Sequence, residues 1–533
     1  MKKVLSIMLI ILVVFSSMPM TVFGAENQDN SNDEFTYALS EDNAIITGYN
    51  GSDLFVDIPS EIDGHSVTEI SSTTFKNDNS IVGIEIPNGV TTIGQGAFKN
   101  CLKAQYISLP ATLKNIDTNT LTSNDDCVYI VERNSDAEKF VTENDMNYKK
   151  RFASDKVSES GQDDNISYRY NNLTSSLYVY GEGEIKNYNS DNQPWKNYKS
   201  TAKSIDLFDG ITSIGNYAFA ENNKIPSVDI KGNPNGTTVG NYSFQNVSNA
   251  SSLNLGNVTS IGTNAFNNCA SLSGKLTIPD SVKTLNSYAF SSCKNINEIE
   301  FSKNLEVIGY ESFANCTSLK KITIPDNIKT IENCAFENCS AVTEIELGKG
   351  LTQLGTSNGY YYNPFYNMTS VKKITFNTEK VPTTPCADTF EYMNNLETVY
   401  VPVDGYSDYV TRFSPYINNA RIVMISDSDF VIKDGVLLQY SGTDTDVVIP
   451  DDVTEIGDSA FKNNTNIKKV TFSKNIKKIN QSAFYSCTNL ETVIFNNLIS
   501  SIGNSAFYGC TKLSGVLKIS ENTRSVGNYS FAN

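Results

Sequence analysis

Residues 308–325 read IGYESFANCTSLKKITIP, in which an aliphatic–glycine pair, a small residue before phenylalanine, a cysteine and Ile-x-Ile-Pro follow in order. The same frame recurs directly before and after this stretch, so that Phe290, Phe313 and Phe336 are spaced 23 residues apart. A fixed period of this length is typical of stacked repeats. The sequence therefore predicts a repeat fold before any single segment is assigned.

The anchoring position of this frame can be followed through most of the chain. It is occupied by Phe75, Phe98, Leu121, Phe219, Phe244, Phe266, Phe290, Phe313, Phe336, Phe365, Phe390, Phe461, Phe484, Phe507 and Phe531. The preceding residue is alanine or serine in most copies, and an aliphatic residue commonly stands five positions before the anchor. One such unit cannot bury its apolar side alone, so the copies are expected to stack into a solenoid of coils of about 23 residues.

Three starting segments and two closing segments divide the repeats. Starts with alternating apolar residues lie near Phe35, Ile166 and Phe430, and helical patterns close two runs at residues 135–140 and 406–413. We therefore predict a signal peptide at 1–24, a flexible lead at 25–34, a first repeat module at 35–152, a linker at 153–165, a second module at 166–426 and a third at 427–533. The third module stops in the middle of a coil without a polar cap, which is expected of a piece of a longer chain.

The charge balance and the first residues bound the environment of the protein. The chain carries 59 acidic and 42 basic residues, and nucleic acids and anionic membranes both attract basic surfaces, so neither is expected as a partner. Lys2 and Lys3 precede the apolar run 4–15 and the small residues Gly24 and Ala25, in the order of a secretory signal peptide. No second apolar run of spanning length follows in the sequence, so we expect an exported protein without membrane insertion after signal removal.

The repeating frame also carries a family resemblance. Ile-Gly-x-x-Ala-Phe-x-x-Cys-x-x-Leu-x-x-Ile-x-Ile-Pro is similar to the BspA-like leucine-rich repeat of bacterial surface proteins, and the resemblance extends from Phe35 onward. It implies an α/β-type leucine-rich repeat solenoid, with a parallel β-sheet on the concave side and short turns or helices on the convex side. It also implies a secreted or bacterial cell-surface location and a role in surface attachment, without shared catalytic residues.

The repeats lack the residues that enzymes use most. His65 is the one histidine of the sequence, and the turn residues around it predict an exposed loop. A Ser-His-Asp arrangement or a pair of metal-binding histidines is therefore excluded from the repeats. Glu344 and Glu346 lie on one strand, as the carboxylates of a glycosidase can, but Glu298 and Glu300 do the same, which is typical of surface decoration. We expect a noncatalytic protein without a cofactor or a metal.

Seven of the ten cysteines occupy one position of the repeat, three residues after the anchor. They are Cys101, Cys269, Cys293, Cys316, Cys339, Cys487 and Cys510. Other copies place Asn222, Val247, Met393 or Asn464 there, which indicates a small inward-facing slot. We predict buried free thiols, with disulfides between stacked neighbours and metal binding as the alternatives.

The Ile-x-Ile strands predict a charged surface. By the two-residue alternation of a strand, the residue between the two apolar ones and the residue before them face outward. In four successive coils these residues are Glu298, Glu300, Lys321, Thr323, Glu344, Glu346, Lys373 and Thr375. Opposite charges on strands about 4.8 Å apart are typical of a stabilising ladder worth roughly 0.2–1 kcal/mol per pair. They also make a candidate recognition surface, and we treat these eight residues as candidate ligand-binding residues.

A second candidate lies in the copy anchored by Phe365, which is 29 residues from its predecessor. Its insertion contains Tyr360, Tyr361 and Tyr362, and clustered exposed tyrosines are typical of binding hot spots. Packing of the rings within an irregular coil is the alternative interpretation.

These observations favour a secreted or cell-surface binding and adhesion module for an extracellular protein or glycan, such as a component of the host matrix. Two other interpretations fit the same residues. One is a passive spacer that presents another domain, and the other is the noncatalytic targeting part of a secreted enzyme. Fold alone does not decide among them.

The signal sequence gives the first testable prediction. Residues 1 to about 24 should be absent from the protein recovered from its natural host, because the basic start and apolar run direct export and cleavage. Mass spectrometry of the intact protein measures this, and the unprocessed recombinant chain serves as the mass reference. Recovery of the natural protein with Met1 in place would contradict the prediction.

Overall fold

The computed structural model describes residues 30–533 except for 33, 115, 122–123, 232, 356–362, 385–389, 391, 418–419, 427 and 517. The chain divides into two compact units, one of Met1–Ser158 with Asn172–Thr174 and one of Glu159–Asn171 with Ser175–Asn533. Buried apolar side chains form three separate cores, which lie within residues 35–141, 166–422 and 437–510. The predicted signal peptide lies outside the described residues.

The first unit contains two sheets and one α-helix. Its elements are β1 (Asn30–Ser31), β2 (Phe35–Ser40), β3 (Asn43–Tyr49), β4 (Phe55–Asp57), β5 (Glu61–Ile62), β6 (His65–Ile70), β7 (Gly83–Glu85), β8 (Thr92–Ile93), β9 (Tyr106–Leu109), a 3-10 turn (Thr118–Thr120), β10 (Val128–Glu132), α1 (Asp136–Glu143) and β11 (Tyr148–Arg151). One sheet has the order β1-β2-β3-β6-β5 with β8 beside β6, and the other has the order β11-β10-β9-β7-β4.

The second unit begins with a sheet of order β12-β13-β14-β16 and then repeats a regular coil. Its elements up to the second helix are β12 (Ser158–Asp163), β13 (Ile166–Asn171), β14 (Ser176–Gly181), β15 (Gly183–Glu184), a 3-10 turn (Lys196–Tyr198), β16 (Ser204–Leu207), β17 (Ile211–Ile214), β18 (Ser227–Asp229), β19 (Thr237–Val239), β20 (Ser252–Asn254), β21 (Val258–Ile261), β22 (Ser273–Thr277), β23 (Thr284–Leu285), β24 (Asn295–Glu300), β25 (Val307–Ile308), β26 (Lys321–Ile324), β27 (Thr330–Ile331), β28 (Glu344–Leu347), β29 (Gln353–Leu354), β30 (Lys373–Phe376), β31 (Thr398–Val401) and α2 (Tyr406–Phe413).

The remaining strands close this run and build the third core. They are β32 (Arg421–Met424), β33 (Phe430–Lys433), β34 (Val436–Tyr440), β35 (Asp446–Val448), β36 (Glu455–Ile456), β37 (Lys469–Thr471), β38 (Lys478–Ile479), β39 (Thr492–Ile494), β40 (Ser501–Ile502) and β41 (Ser525–Val526). Each of the three cores therefore begins next to an antiparallel hairpin, formed by β2 with β3, β13 with β14, and β33 with β34.

Each coil of the second unit contributes to two parallel ladders. The Ile-x-Ile segments form one set of strands, which pair as β22-β24 and as β26-β28-β30-β31-β32, and we call these the long-strand sheets. The other set is β15-β17-β19-β21-β23-β25-β27-β29, the short-strand sheet, and its strands from β17 to β27 end on the aliphatic residue five positions before an anchor. The predicted solenoid fold is confirmed. The short-strand sheet adds a ladder where the sequence predicted only turns or helices.

The anchoring phenylalanines stack along the interior of the solenoid. Phe290, Phe313 and Phe336 are fully buried, and the ring centroids of neighbours lie 5.7 and 5.5 Å apart with the ring planes within 9° of parallel. The backbone N–H of Phe313 donates to the carbonyl of Ala335 in the next coil at 2.8 Å. The stack of the second core starts on Trp195, whose ring lies 5.3 Å from that of Phe219 and whose Nε1 donates to the Ala218 carbonyl at 2.8 Å.

Each coil turns around its anchor through two residues with positive φ. In the coil of Phe313 these are Glu311 at 49° and Asn315 at 62°. Asparagine recurs at the second position because it adopts the left-handed region of positive φ more readily than most other non-glycine residues. These asparagines also bond to one another, since Asn338 Nδ2 donates to Asn315 Oδ1 at 3.1 Å and Asn367 Nδ2 donates to Asn338 Oδ1 at 2.7 Å.

In three places the described secondary structure differs from the local expectation. Residues 158–163 of the predicted linker form β12, since a polar segment can pair through its backbone at a sheet edge without apolar side chains. Residues 30–31 of the predicted flexible lead form β1, which pairs antiparallel with β2. His65 was expected in an exposed loop, but it begins β6, is half-buried and pairs with Ile62 in a hairpin.

The stack predicts a large loss of stability on truncating one ring. Phe313→Ala should lower the free energy of unfolding by about 3–5 kcal/mol, because it leaves a cavity between two flat neighbours. Chemical denaturation followed by circular dichroism measures the change. Phe152→Ala is the matched control, because the Phe152 side chain is 58 % exposed, and it should cost less than about 1 kcal/mol. Equal costs for the two variants would show that the interior frame has been assigned incorrectly.

Candidate functional site

The long-strand sheets of the second unit carry a continuous row of polar side chains on their outward side. The eight candidate residues of β24, β26, β28 and β30 are all exposed or half-exposed there. Behind them, Ile322, Ile345 and Ile374 are buried, and Ile299 is partly buried. We call the outward side chains of β22, β24, β26, β28 and β30 the charged face. The strand alternation therefore places every described candidate residue on the predicted side of the sheet.

Lys321 is held between two glutamates of the next strand. The backbone register pairs Lys321 with Glu344 and Thr323 with Glu346. Lys321 Nζ lies 4.0 Å from a Glu344 carboxylate oxygen and 3.1 Å from one of Glu346. All three side chains keep 40–48 % of their surface exposed, so these are solvent-screened ion pairs that contribute up to about 1 kcal/mol each.

A second lysine makes the same arrangement one pair of strands earlier. Lys275 Nζ lies 3.5 Å from Glu298 and 3.1 Å from Glu300 on the neighbouring strand. Its hydrogen bond to Glu300 lowers the pKa of that carboxyl and raises the pKa of the lysine. Lys275 is absent from the predicted residues, which begin one coil later, although Leu276 and Ile278 fill the two apolar positions of the Ile-x-Ile pattern. The signal that would have found it is the Lys-x-Thr sequence shared with β26 and β30.

The last lysine of the charged face meets an aromatic ring. The Nζ atom of Lys373 lies 5.0 Å from the centre of the Tyr400 ring on β31, within the range of a cation–π contact. Tyr400 is a second residue that the sequence did not single out, because β31 belongs to the closing segment of the module. Its ring extends the charged face by one strand.

The predicted alternation of charges across every neighbouring strand needs one correction. The ladder pairs β22 with β24 and β26 with β28 and β30, but β24 and β26 belong to different sheets. Glu298 and Glu300 therefore form ion pairs with Lys275 of the preceding strand and make none with Lys321 among the described residues. The charged face consists of two glutamate–lysine clusters placed one after the other along the solenoid.

The tyrosine candidates Tyr360, Tyr361 and Tyr362 lie outside the described residues. Two tyrosines that follow them are described. Tyr366 and Tyr392 pack edge to face with ring centres 4.8 Å apart, which is a common geometry for aromatic pairs. The role of the insertion in binding stays a prediction.

The corresponding sheet of the first unit does not offer an open face. Tyr106 of β9 is fully buried, and its ring lies flat over Gly83, where a Cβ atom would come within 2.4 Å of the ring. Phe55 stacks beside the same ring at 6.4 Å, and Ser158 Oγ donates to Glu85 at 2.5 Å. The outward side of this sheet is packed, so the charged face of the second unit is the stronger candidate for a binding surface.

The cysteine position forms an inward slot. The nine described cysteines are free and buried, and in the seven repeat copies the thiol lies 3.0–3.5 Å from the carbonyl oxygen of the anchor in the preceding coil. Burial raises the pKa of Cys101 to about 11 and the pKa of Cys269 and Cys316 to about 12. The prediction of free thiols is confirmed for these nine residues.

Neither a metal cluster nor a membrane-spanning helix is found in the described part of the chain. No group of three or more His, Cys, Asp or Glu side chains there is arranged to hold a metal ion. No helix among the same residues has the length and apolar character needed to cross a bilayer.

The comparison with protein families decides the class of the repeat. The family model described as BspA type leucine rich repeat region (6 copies) matches residues 58–140, 195–274, 259–397 and 438–533, well over half of the chain. The chain belongs to this BspA-type leucine-rich repeat family. The matched ranges contain all the anchoring phenylalanines and the whole charged face. The resemblance noted in the sequence is therefore confirmed.

Several solved bacterial structures are similar to this BspA-type chain. A leucine-rich repeat protein from Bacteroides ovatus is 19 % identical, with 94 % of this chain and 99 % of that chain covered and a TM-score of 0.34. One from Eubacterium ventriosum is 18 % identical, with 71 % and 95 % covered and a TM-score of 0.26. A leucine rich cell surface protein from Faecalibacterium prausnitzii is 18 % identical, with 65 % and 93 % covered and a TM-score of 0.20. No curated protein matches the chain significantly.

The buried slots predict thiols that are inert while the protein is folded. At pH 8 the nine described cysteines should not react with an aromatic disulfide reagent, because all nine are buried and the fold excludes the reagent, and burial also raises the pKa of thiols such as Cys269 and Cys316. In denaturant all ten cysteines of the chain should react, and absorbance of the released chromophore counts them.

The raised pKa of the buried thiols also determines the direction in which the stability of the folded protein changes with pH. Burial favours the protonated thiol in the folded state, so this stabilisation is complete below about pH 8.5 and is lost as the pH rises towards 12. In the thiol-reagent experiment, rapid reaction of the folded protein would contradict the assignment of the cysteines to buried inward slots. A thiol count near zero in denaturant would contradict the prediction that they are free.

Proposed function

We propose that this protein is a noncatalytic binding protein of the bacterial exterior, and that it uses the charged face to hold an extracellular protein or glycan. The observation that carries the proposal is the charged face itself: five strands whose outward charges are solvent-exposed and are held in place by contacts between neighbouring strands. A component of the host matrix is the proposed class of partner.

The rigidity of this surface supports a binding role. The strands are fixed by the parallel ladder on one side and by the buried isoleucines and stacked rings beneath. A ligand that lies on the charged face orders few additional groups, so less of the interaction free energy is lost to conformational entropy. The exposed ion pairs are weak enough for a charged ligand to exchange with them.

The proposed cell-surface location and the proposed lack of catalytic activity belong to the same proposal. Family membership and the signal-like start at residues 1–24 support export and attachment at the cell surface. The single histidine supports a noncatalytic role, because His65 lies in a hairpin with its Nδ1 3.2 Å from the Asp42 carbonyl oxygen. A spacer that presents another domain is the rival function, and the following experiment separates the two.

Charge reversal tests the charged face directly. The double variant Lys321→Glu with Lys373→Glu should lose at least tenfold in affinity for an immobilised extracellular-matrix extract, because it removes both lysines of β26 and β30. It should still fold, since like charges on neighbouring strands destabilise a sheet by about 1 kcal/mol. The matched control is Lys303→Glu with Lys329→Glu, which changes two ion-paired lysines outside the long-strand sheets and should bind like the wild type.

A third variant separates the two candidate surfaces. Changing Tyr360, Tyr361 and Tyr362 to serine removes the aromatic insertion and leaves the charged face intact. Loss of binding in this variant alone would move the site to the insertion. If the wild-type protein binds no matrix component, or if all three folded variants bind equally, the spacer function replaces the proposal.

A further inference from the structure

A groove of about 590 Å³ lies at the end of the second core, and none of the residues that line it belongs to the charged face. It is bounded on one side by residues 381–384 and on the other by α2 and the turn that follows it. Sites for small ligands and short oligomers are typically clefts of roughly 300–1,000 Å³, so the groove has the size of a binding site.

The helix that forms this wall is firmly anchored. Its inward residues Tyr409 and Phe413 are buried, and the Phe413 ring lies 5.0 Å from that of Phe390. Tyr409 Oη donates to the Thr378 carbonyl at 2.9 Å, which fixes the segment leading into the opposite wall. The residues on the other side of the helix, Asp408 and Arg412, therefore reach the groove from a rigid support.

Arg412 is fixed in the groove, and no carboxylate among the described residues pairs with it. Its Nη2 donates to the carbonyl of Thr384 at 2.7 Å and to the hydroxyl of Thr384 at 2.6 Å. Asp408 lines the same groove one helical turn earlier, yet neither it nor any other described carboxylate lies within ion-pairing distance of Arg412. Both bonds that position the guanidinium come from Nη2, and the N–H groups of Nε and Nη1 are the donors proposed for a ligand. A fixed guanidinium is well suited to a planar carboxylate.

The rest of the lining is suited to a sugar ring. Thr411 and Tyr416 supply hydroxyl groups, and Pro382 and Pro415 supply flat apolar surfaces on the two walls. Hydroxyls beside an apolar face match the alternation of polar edges and apolar faces on a pyranose. An acidic peptide would use the guanidinium but not this combination.

A second groove of about 560 Å³ continues from the first and shares Val381 and Thr383 with it. Its lining includes Lys349 and Lys380, which are exposed and have no ion pair among the described residues. The lining of the two grooves thus carries three cationic side chains, Arg412, Lys349 and Lys380, and two carboxylates, Asp408 and Glu379. Cations outnumber carboxylates in this lining, whereas the whole protein has a net charge of −17, and this local difference favours an anionic polymer at the grooves.

We propose that this double groove binds an acidic glycan, with a uronate carboxylate on Arg412 and the next acidic residue of the chain near Lys349 and Lys380. The inference rests on the proposed function in one respect only, namely that the protein meets extracellular ligands. It adds a second site and names its ligand class.

The test uses the whole secreted chain and three probes of similar length. The first is a hyaluronan octasaccharide, the second is the same oligosaccharide with its carboxylates reduced to alcohols, and the third is a polyglutamate peptide. Fluorescence anisotropy should show binding of the first probe, at least tenfold weaker binding of the second, and at least tenfold weaker binding of the third. Equal binding of the reduced probe would overturn the carboxylate assignment, and equal binding of the peptide would make the site a peptide site.

Variants assign the binding to the groove. Arg412→Gln should weaken hyaluronan binding at least tenfold, and Arg412→Lys should give an intermediate loss because it keeps the charge but not the forked geometry. Arg421→Gln, an exposed arginine at the start of β32 that lines neither groove, is the matched control and should bind like the wild type.

A second pair of changes guards against misfolding. Lys349→Gln with Lys380→Gln leaves the bonds between Arg412 and Thr384 intact and should also weaken binding several-fold. If neither this variant nor a folded Arg412→Gln protein loses affinity, the groove is not the site. Loss of hyaluronan binding in the Lys321 and Lys373 reversal alone would place the uronate on the charged face, which overturns this inference while the proposed function stands.

Discussion

The structure depends on one constraint: a single coil of about 23 residues cannot remove its own apolar side from water. The anchoring ring of each coil is covered by the ring of the next, and its N–H bonds to the carbonyl that precedes the next anchor. Stability is therefore a sum of contacts between neighbours rather than the property of one central core. The two residues of positive φ around the anchor, such as Glu311 and Asn315, turn the chain so that this contact repeats.

A stack of this kind also needs a first surface on which to begin. Trp195 covers Phe219 in the second core, and Tyr440 covers Phe461 in the third with ring centres 5.2 Å apart. In the first core Tyr49 takes the same place beside Phe75 at 5.6 Å. A different aromatic residue thus covers the first anchoring ring of each core. In each case this residue lies in the starting hairpin or close to it. This is why the starting segments look alike in the sequence although they lack the repeat frame.

The sequence was sufficient wherever a side chain repeats with a fixed spacing. Phe313 and Cys316 could be placed inside, and Lys321 and Glu344 outside, because alternation and period leave only one choice per residue. The sequence was insufficient where hydrogen bonding between backbones alone decides whether a segment forms a strand. β12 consists of polar residues that pair at an edge, and the two-residue strands of the short-strand sheet carry too little pattern to separate them from turns. Arg412 could not be singled out from the sequence, because its partner Thr384 lies 28 residues away.

The order of lysine and glutamate strands limits which changes in repeat number keep the charged face intact. Recombination between neighbouring repeats removes or adds whole coils, and the identical interval between Phe290, Phe313 and Phe336 lets the stack close again after such an event. The surface charges follow a longer period, since β26 and β30 carry lysine while β28 between them carries two glutamates. Loss of the β28 coil alone would set Lys321 beside Lys373, whereas loss of two coils restores the order. Selection on this surface would therefore retain variants that differ by an even number of repeats.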